Sequence, residues 1–305
     1  MSFGINYILN PQGTLTIWPI LFISLILGLL HGATPDEHTW PITFSYSIGS
    51  YSSKKGMKAG FVFSLGFTIQ RAILTTLGFL GLAEIYKIYN LDGIVYFIVG
   101  IVMVLAGAYI LNKKKYLHIP FDLLLHGKSH HSELAKRKPM HTGVPLKMAV
   151  VHGLIAGFGF GAYATIITFI LAPQVPSLIY APLPGIFFGI GTMLMQILFG
   201  AAFASLTRLG KISEADAMKM GRRTAGNTLY YGGMAFAVIG IIIAAFPSIE
   251  NYAISTGNPI PNLDSVNIST FLVLIVVGAI GMGNLAKGFA SLMLKGKRKS
   301  KNGPS

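Results

Sequence analysis

The chain has no cysteine among its 305 residues, which excludes disulfides, thiolate metal ligands and thiol relay chemistry. It is also short of charge. Only 11% of residues are charged, against about a quarter in soluble domains. Acids are scarcer still, with 10 Asp and Glu facing 24 Lys and Arg. No Walker motif is present, so no ATP hydrolysis by this chain is expected. The N-terminus lacks a basic stretch before an apolar run and lacks a small-residue cleavage site, so no removable signal peptide is expected.

What fills the chain instead is apolar: 52% of residues are hydrophobic and the mean hydropathy is +0.62. Runs of spanning length cover 14–30, 59–83, 93–111, 145–171, 183–206, 224–246 and 270–294. Each approaches the roughly 20 residues that carry a helix across ~30 Å of hydrocarbon. Backbone groups in lipid must be satisfied within the segment, which leaves the helix as the form for such runs. The expected fold is therefore an all-α integral membrane protein with about seven transmembrane helices and the lipid bilayer as its main partner.

The net charge of +14 does not imply nucleic acid, because the basic residues collect at the ends of apolar runs and not on one solvated domain. Lys54, Lys55 and Lys58 follow the first run. Segment 112–144 carries Lys113, Lys114, Lys115, Lys128, Lys136, Arg137 and Lys138. Arg208, Lys211, Lys219, Arg222 and Arg223 follow the fifth run, and the basic tail 295–305 closes the chain. The intervening connections are almost free of Lys and Arg. By the positive-inside rule this puts the N-terminus outside and the C-terminus in the cytoplasm of a multi-pass cell-membrane protein. Segment 112–144 then becomes a cytoplasmic loop rich in His and Lys, with His118, His126, His130, His131 and His141, and short His-rich tracts often bind metal.

Two patterns recur. Leu30-His31-Gly32 leads on to Ile42-Thr43-Phe44, and Val151-His152-Gly153 leads on to Ile167-Thr168-Phe169. Each opens a set of three runs, 14–111 and 145–246, and the loop charges give the sets opposite orientation. The expectation is two inverted three-helix repeats plus a C-terminal helix at 270–294, with a substrate site between the halves.

Chemistry concentrates at His31-Gly32-Ala33-Thr34-Pro35-Asp36-Glu37-His38. Asp36 and Glu37 are continuous with a long apolar segment, while the other eight acids lie in connections or at run edges. An ionisable group at membrane depth is a functional hypothesis by default. On an unbroken helix His31 and His38 would stand about 10 Å apart along the axis, too far to share an ion held by bonds of about 2 Å. Pro35 removes a donor and pushes Thr34 out of helical torsions, so the helix is expected to break at 31–38. Imidazole nitrogen with carboxylate oxygen suits Ni²⁺, Co²⁺ or Zn²⁺. The competing reading is a simple helix cap, with Thr34 or Asp36 as N-cap. His152 is a further ligand candidate if the repeat brings it to the break.

Segments 27–38 and Phe61-Val62-Phe63-Ser64-Leu65-Gly66 together resemble the nickel/cobalt transporter family and its urease-accessory-like relatives, within the LysE-type transporter superfamily. The resemblance covers about the first eighty residues. It implies a permease with a divalent transition metal as substrate and no permanently bound cofactor, and an activity that is not enzymatic. This sequence departs from the family in three places: Glu37 separates Asp36 from His38, Phe67 stands where the second motif has His, and Gly157-Phe158-Gly159-Phe160-Gly161 stands where the third carries acids.

Arg71, preceded by Gln70 in the middle of the second run, is expected to pair with Asp36 or Glu37. Gln196 and Asn284 are weaker polar candidates along a substrate path. Two alternatives stand beside the metal permease. One is an exporter of a small anion or amino acid that uses Arg71. The other is a metal-dependent membrane enzyme or assembly factor. An oligomer is compatible with all three.

Overall fold

In a computed structural model, the described residues are 4–89, 91–111, 146–209 and 212–301. The His/Lys-rich segment 112–144, with its five histidines, lies outside them. The apolar runs are helical, and five helical segments are long and apolar enough to cross a membrane: Ser53–Phe79, Asp92–Ile110, Leu178–Arg208, Glu214–Ala245 and Ile268–Leu294. Large apolar side chains line their outer faces, including Ile69, Ile73, Leu198, Ile241 and Phe271. Water would disfavour such faces and lipid accepts them, so this is a multi-pass membrane protein.

The helices in order are α1 (Ile5–Leu9), α2 (Ile17–Ala33), α3 (Trp40–Gly49), α4 (Ser53–Phe79), α5 (Glu84–Ile88), α6 (Asp92–Ile110), α7 (Leu146–Ala156), α8 (Ala162–Thr165), α9 (Leu183–Ser205), α10 (Glu214–Ala245), α11 (Ile268–Val273) and α12 (Gly283–Lys301). Helix α8 continues into a π-helix at Ile166–Leu171, and α11 into another at Leu274–Met282. The described strands are a two-residue antiparallel pair, Ile254–Ser255 with Ser265–Val266, in the connection between α10 and α11.

Two helical stretches are divided, the one that begins in the first apolar run and the one in the fourth. Helix α2 ends at Ala33 and α3 starts at Trp40. They lie in line along α9, since Gly28 meets Phe188, Gly32 meets Thr192, the Trp40 ring packs at a tilt on Phe199 and Phe44 packs edge-on against Phe203. Helices α7 and α8 likewise follow one line along α4, with Gly153 against Phe63 and Thr168 against Gly78. Helix α9 runs opposite to α4, Gly56 meeting Gly200 and Gly60 meeting Gln196.

Helices α6 and α10 form an antiparallel glycine seam. Gly93, Gly100 and Gly107 face Gly240, Gly233 and Gly226, and a Cβ on any of the first three would fall under 3.0 Å from α10 backbone. Lipid tails supply no hydrophobic drive for helices to associate, so small residues that allow close backbone approach take that role. Two clusters of buried apolar side chains flank the divided helices. One gathers around Phe44, Phe63 and Phe236, the other around Leu27, Phe67 and Phe188.

Candidate metal centre at the first helix break

The break between α2 and α3 follows from local sequence. Thr34 is the last residue whose amide reaches back along α2, to the Leu30 carbonyl at 2.9 Å, and its ψ is 149°. Pro35 disfavours a helical residue before it, so the chain leaves the helix there. Asp36 restarts it. One carboxylate oxygen accepts the amides of His38 at 3.0 Å and Thr39 at 2.9 Å, and its carbonyl accepts the Trp40 amide at 2.9 Å. Asp36 thus caps the turn at 37–39 that leads into α3, whose own N-cap is Thr39, and it uses one oxygen of two.

The other carboxylate oxygen of Asp36 lies 3.7 Å from His31 Nδ1. The His38 ring turns the other way, with Nδ1 3.0 Å from Glu37 Oε1, and Tyr96 donates to the same Glu37 oxygen at 2.7 Å. His31, Asp36, Glu37 and His38 are all more than nine-tenths buried. With the ring neutral and its proton on Nδ1 shared with Glu37, Nε2 is the nitrogen that carries the free lone pair. That Nε2 is buried with no protein partner, and so is Nε2 of His31.

Asp36, Glu37 and His38 bring one ligand atom each to within 4.8 Å of one another. Donors on opposite sides of an ion with bonds of about 2.1 Å stand at most about 4.2 Å apart. The cluster therefore needs to close by roughly half an ångström to hold an ion. His31 stands beside the trio in an aromatic surround, its ring 5.5 Å from Phe67, 5.7 Å from Tyr163 and 5.2 Å from Phe188.

The second break has no ligand-type side chains. Helix α7 ends at Ala156, and Gly157-Phe158-Gly159-Phe160-Gly161 carries the chain to α8. Gly159 packs on the His38 ring so closely that a Cβ would come within 2.7 Å of its Cε1. The Gly159 carbonyl accepts Arg71 Nη2 at 2.9 Å.

Arg71 does not pair with Asp36 or Glu37, contrary to expectation: the ion pairs among the described residues are His31–Asp36 and His38–Glu37. Its guanidinium instead lies 4.7 Å over the Phe67 ring, with Nε and Nη1 unpartnered. The carbonyl that takes Arg71 belongs to the glycine-rich second break, 88 positions along the chain. His152 is not in the cluster either, because its Nδ1 sits 2.8 Å from the Tyr46 hydroxyl and 3.0 Å from the Met148 carbonyl. Gln196 donates to the Gly32 carbonyl at 3.2 Å, so it does reach the first break. Gln70 abuts Gly157 at the second, with both amide atoms unpartnered. Asn284 accepts from Asn227 at 2.8 Å and belongs to the contact of α10 with α12.

No protein-family model, characterised protein or solved structure matches the chain.

Asp36, Glu37 and His38 line a cavity of about 210 Å³, which Asp92, Glu250 and Asp264 also line and which, among the described residues, no lysine or arginine lines. Sequence reasoning passed over these three acids because they lie in connections and at run edges. The available signal was their parity, since all three fall in the connections that carry few basic residues. Glu250, in the turn Pro247–Asn251 outside the spans, has its carboxyl pushed up to about 7 by burial and by the neighbouring charges of Asp92 and Glu37. The connection is tied onto the break, with Asn262 donating to Thr34 Oγ1 at 3.2 Å and Tyr163 donating to the Pro261 carbonyl at 3.1 Å.

Proposed function

We propose that this chain is a secondary permease for a divalent transition-metal cation such as Ni²⁺ or Co²⁺, related to the nickel/cobalt transporters, with Asp36, Glu37 and His38 as the substrate ligands and His31 beside them. The observation that carries the reading is the buried trio of donors at a broken helix, with an unpartnered imidazole nitrogen and, among the described residues, no lysine or arginine in ion-pair contact with it. Two carboxylates and an imidazole match the hardness of a borderline divalent ion. Leaving such charges without an occupant at membrane depth costs several kcal/mol.

The architecture we infer is seven spans with the first and fourth broken, the N-terminus outside, the C-terminus in the cytoplasm, and two inverted repeats. What supports the repeat is a set of contacts that recur at one constant displacement along the chain. Gly28 on Phe188 is matched by Gly153 on Phe63. Gly66 on Val150 and Leu154 is matched by Gly191 on Leu25 and Leu29, and Gly60 on Gln196 by Gly185 on Arg71. Ile42-Thr43-Phe44 and Ile167-Thr168-Phe169 fall in the same register, whereas His31-Gly32 and His152-Gly153 do not: His31 corresponds to Ala156, and His152 to Leu27. The donors therefore belong to the first repeat alone, and the second contributes a glycine-rich break. This arrangement suits one ion between two halves that rock about it.

The test is titration of purified protein with Ni²⁺, Co²⁺ and Zn²⁺, repeated for His38→Ala, beside flux into proteoliposomes. The reading expects at least one cation to bind the parent tenfold or more tightly than the variant, and to be transported. Equal affinities would overturn it. One observation favours the anion reading: the two free nitrogens of Arg71 beside the unpartnered Gln70 amide. Under that reading Arg71→Gln abolishes anion flux in a folded protein; under the metal reading it leaves cation choice unchanged.

A further inference from the structure

Half of the chain's ten acidic residues line one cavity, in a protein with 24 Lys and Arg, and among the described residues no lysine or arginine lines it. Three of these acids come from far along the chain: Asp92 at the start of α6, Glu250 after α10 and Asp264 before α11. Asp92 has one oxygen occupied by the Tyr86 hydroxyl at 2.6 Å, as Glu37 has by Tyr96, so each carboxylate is oriented with acceptor capacity to spare. The His38 imidazole, 5% exposed and with Nε2 unpartnered, lines the same space. A volume of about 210 Å³ exceeds what one bare ion needs and admits several waters, so an ion can sit in it still partly hydrated.

We propose that Asp92 and Glu250 form an outer subsite for a divalent cation, from which the ion passes inward to Glu37 and His38. The proposal rests on the cation reading of the inner cluster and adds an access route with its own binding step. Uncompensated carboxylates in a narrow polar recess focus the local field and raise the cation concentration there, an effect that salt screens. A second, weaker site also serves throughput, because an ion entering the outer site pushes against the one already held within. Hydrated binding at Asp92 and Glu250 is followed by loss of water as imidazole and carboxylate donors take over at the break.

The experiment is Ni²⁺ titration of the full-length protein in detergent, paired with Ni²⁺ uptake into proteoliposomes at low and high salt. The parent is expected to show a tighter and a weaker binding phase. Glu250→Gln and Asp92→Asn remove the weaker phase and raise the half-saturating concentration about tenfold, with the maximal rate within about twofold of the parent. His38→Ala removes the tighter phase and keeps the weaker. Glu214→Gln, at the start of α10 and away from the cavity, changes neither. A one-phase isotherm in the parent, with unaltered half-saturation in Glu250→Gln at low salt, overturns the outer subsite and leaves the inner reading standing. A weaker phase without a tighter one overturns the inner reading instead. Absence of any Ni²⁺ binding overturns both.

Discussion

One oxygen of Asp36 holds the amides of His38 and Thr39 while the other faces His31, so cap and ligand are separable by substitution. Asp36→Asn keeps an oxygen for the amides and loses the charge. It should melt within a few degrees of the parent and bind divalent cations at least tenfold more weakly. Asp36→Ala should lose binding and also about 1 kcal/mol of stability, the usual worth of a cap. Parental affinity in the Asn variant would reduce Asp36 to a cap. Tyr96→Phe removes the hydroxyl from Glu37 Oε1, and a hydrogen bond to a charged group is worth about 1.5–3 kcal/mol. Ion affinity should fall about tenfold or more by calorimetry, with the fold intact. The Asp36, Glu37 and His38 cluster was legible in the sequence because acids continuous with an apolar run are conspicuous. The surroundings of Arg71 were not, because its acceptor is a backbone carbonyl 88 positions away in sequence, and carbonyls leave no mark on a residue string.

Helices α6 and α10 touch through glycine at every seventh position, a seam that side chains cannot enter without parting the backbones. Gly100→Ala would set a methyl against the Ala237 amide and Gly233 carbonyl. Overpacking of this kind costs about 1–3 kcal/mol, so the variant should melt several degrees lower in detergent. Gly283→Ala meets nothing within 4 Å and should melt like the parent; equal losses in both would refute the seam. At the first break, Pro35→Ala tests whether proline or the Asp36 cap holds α2 and α3 apart. If proline does, the variant binds metal more weakly while remaining folded. Run length and hydropathy made the long helices readable in advance. The second break was harder to read, because Gly157–Gly161 carries no proline, and glycines are equally at home in tight packing.

Charge divides the whole molecule. Basic residues follow the first and fifth apolar runs, whereas Asp92, Glu250 and Asp264 share a cavity with the connection that follows α10. Single cysteines at Lys54 and Ser255, both exposed, should label from opposite faces of a sealed membrane in this cysteine-free chain. Labelling from one face would sink the seven-span topology. That topology is an expectation drawn from the positions of Lys and Arg in the sequence. The acidic recess was not, since it exists only once segments from three parts of the chain meet.

Gly159 serves two masters: its bare α-carbon is the floor beneath the His38 ring, and its carbonyl holds Arg71. The imidazole cannot shift toward that floor unless the α7–α8 segment moves as well, so under the permease reading release of an ion and displacement of the second break would be one event in time. Turnover would then be paced by a backbone rearrangement common to every substrate and not by the lability of each metal's ligand bonds. Maximal rates for Ni²⁺ and Co²⁺ should lie within a few-fold of each other even where their affinities differ widely. Rates that instead track the ligand-exchange speeds of the two ions would show that the floor moves freely of its occupant.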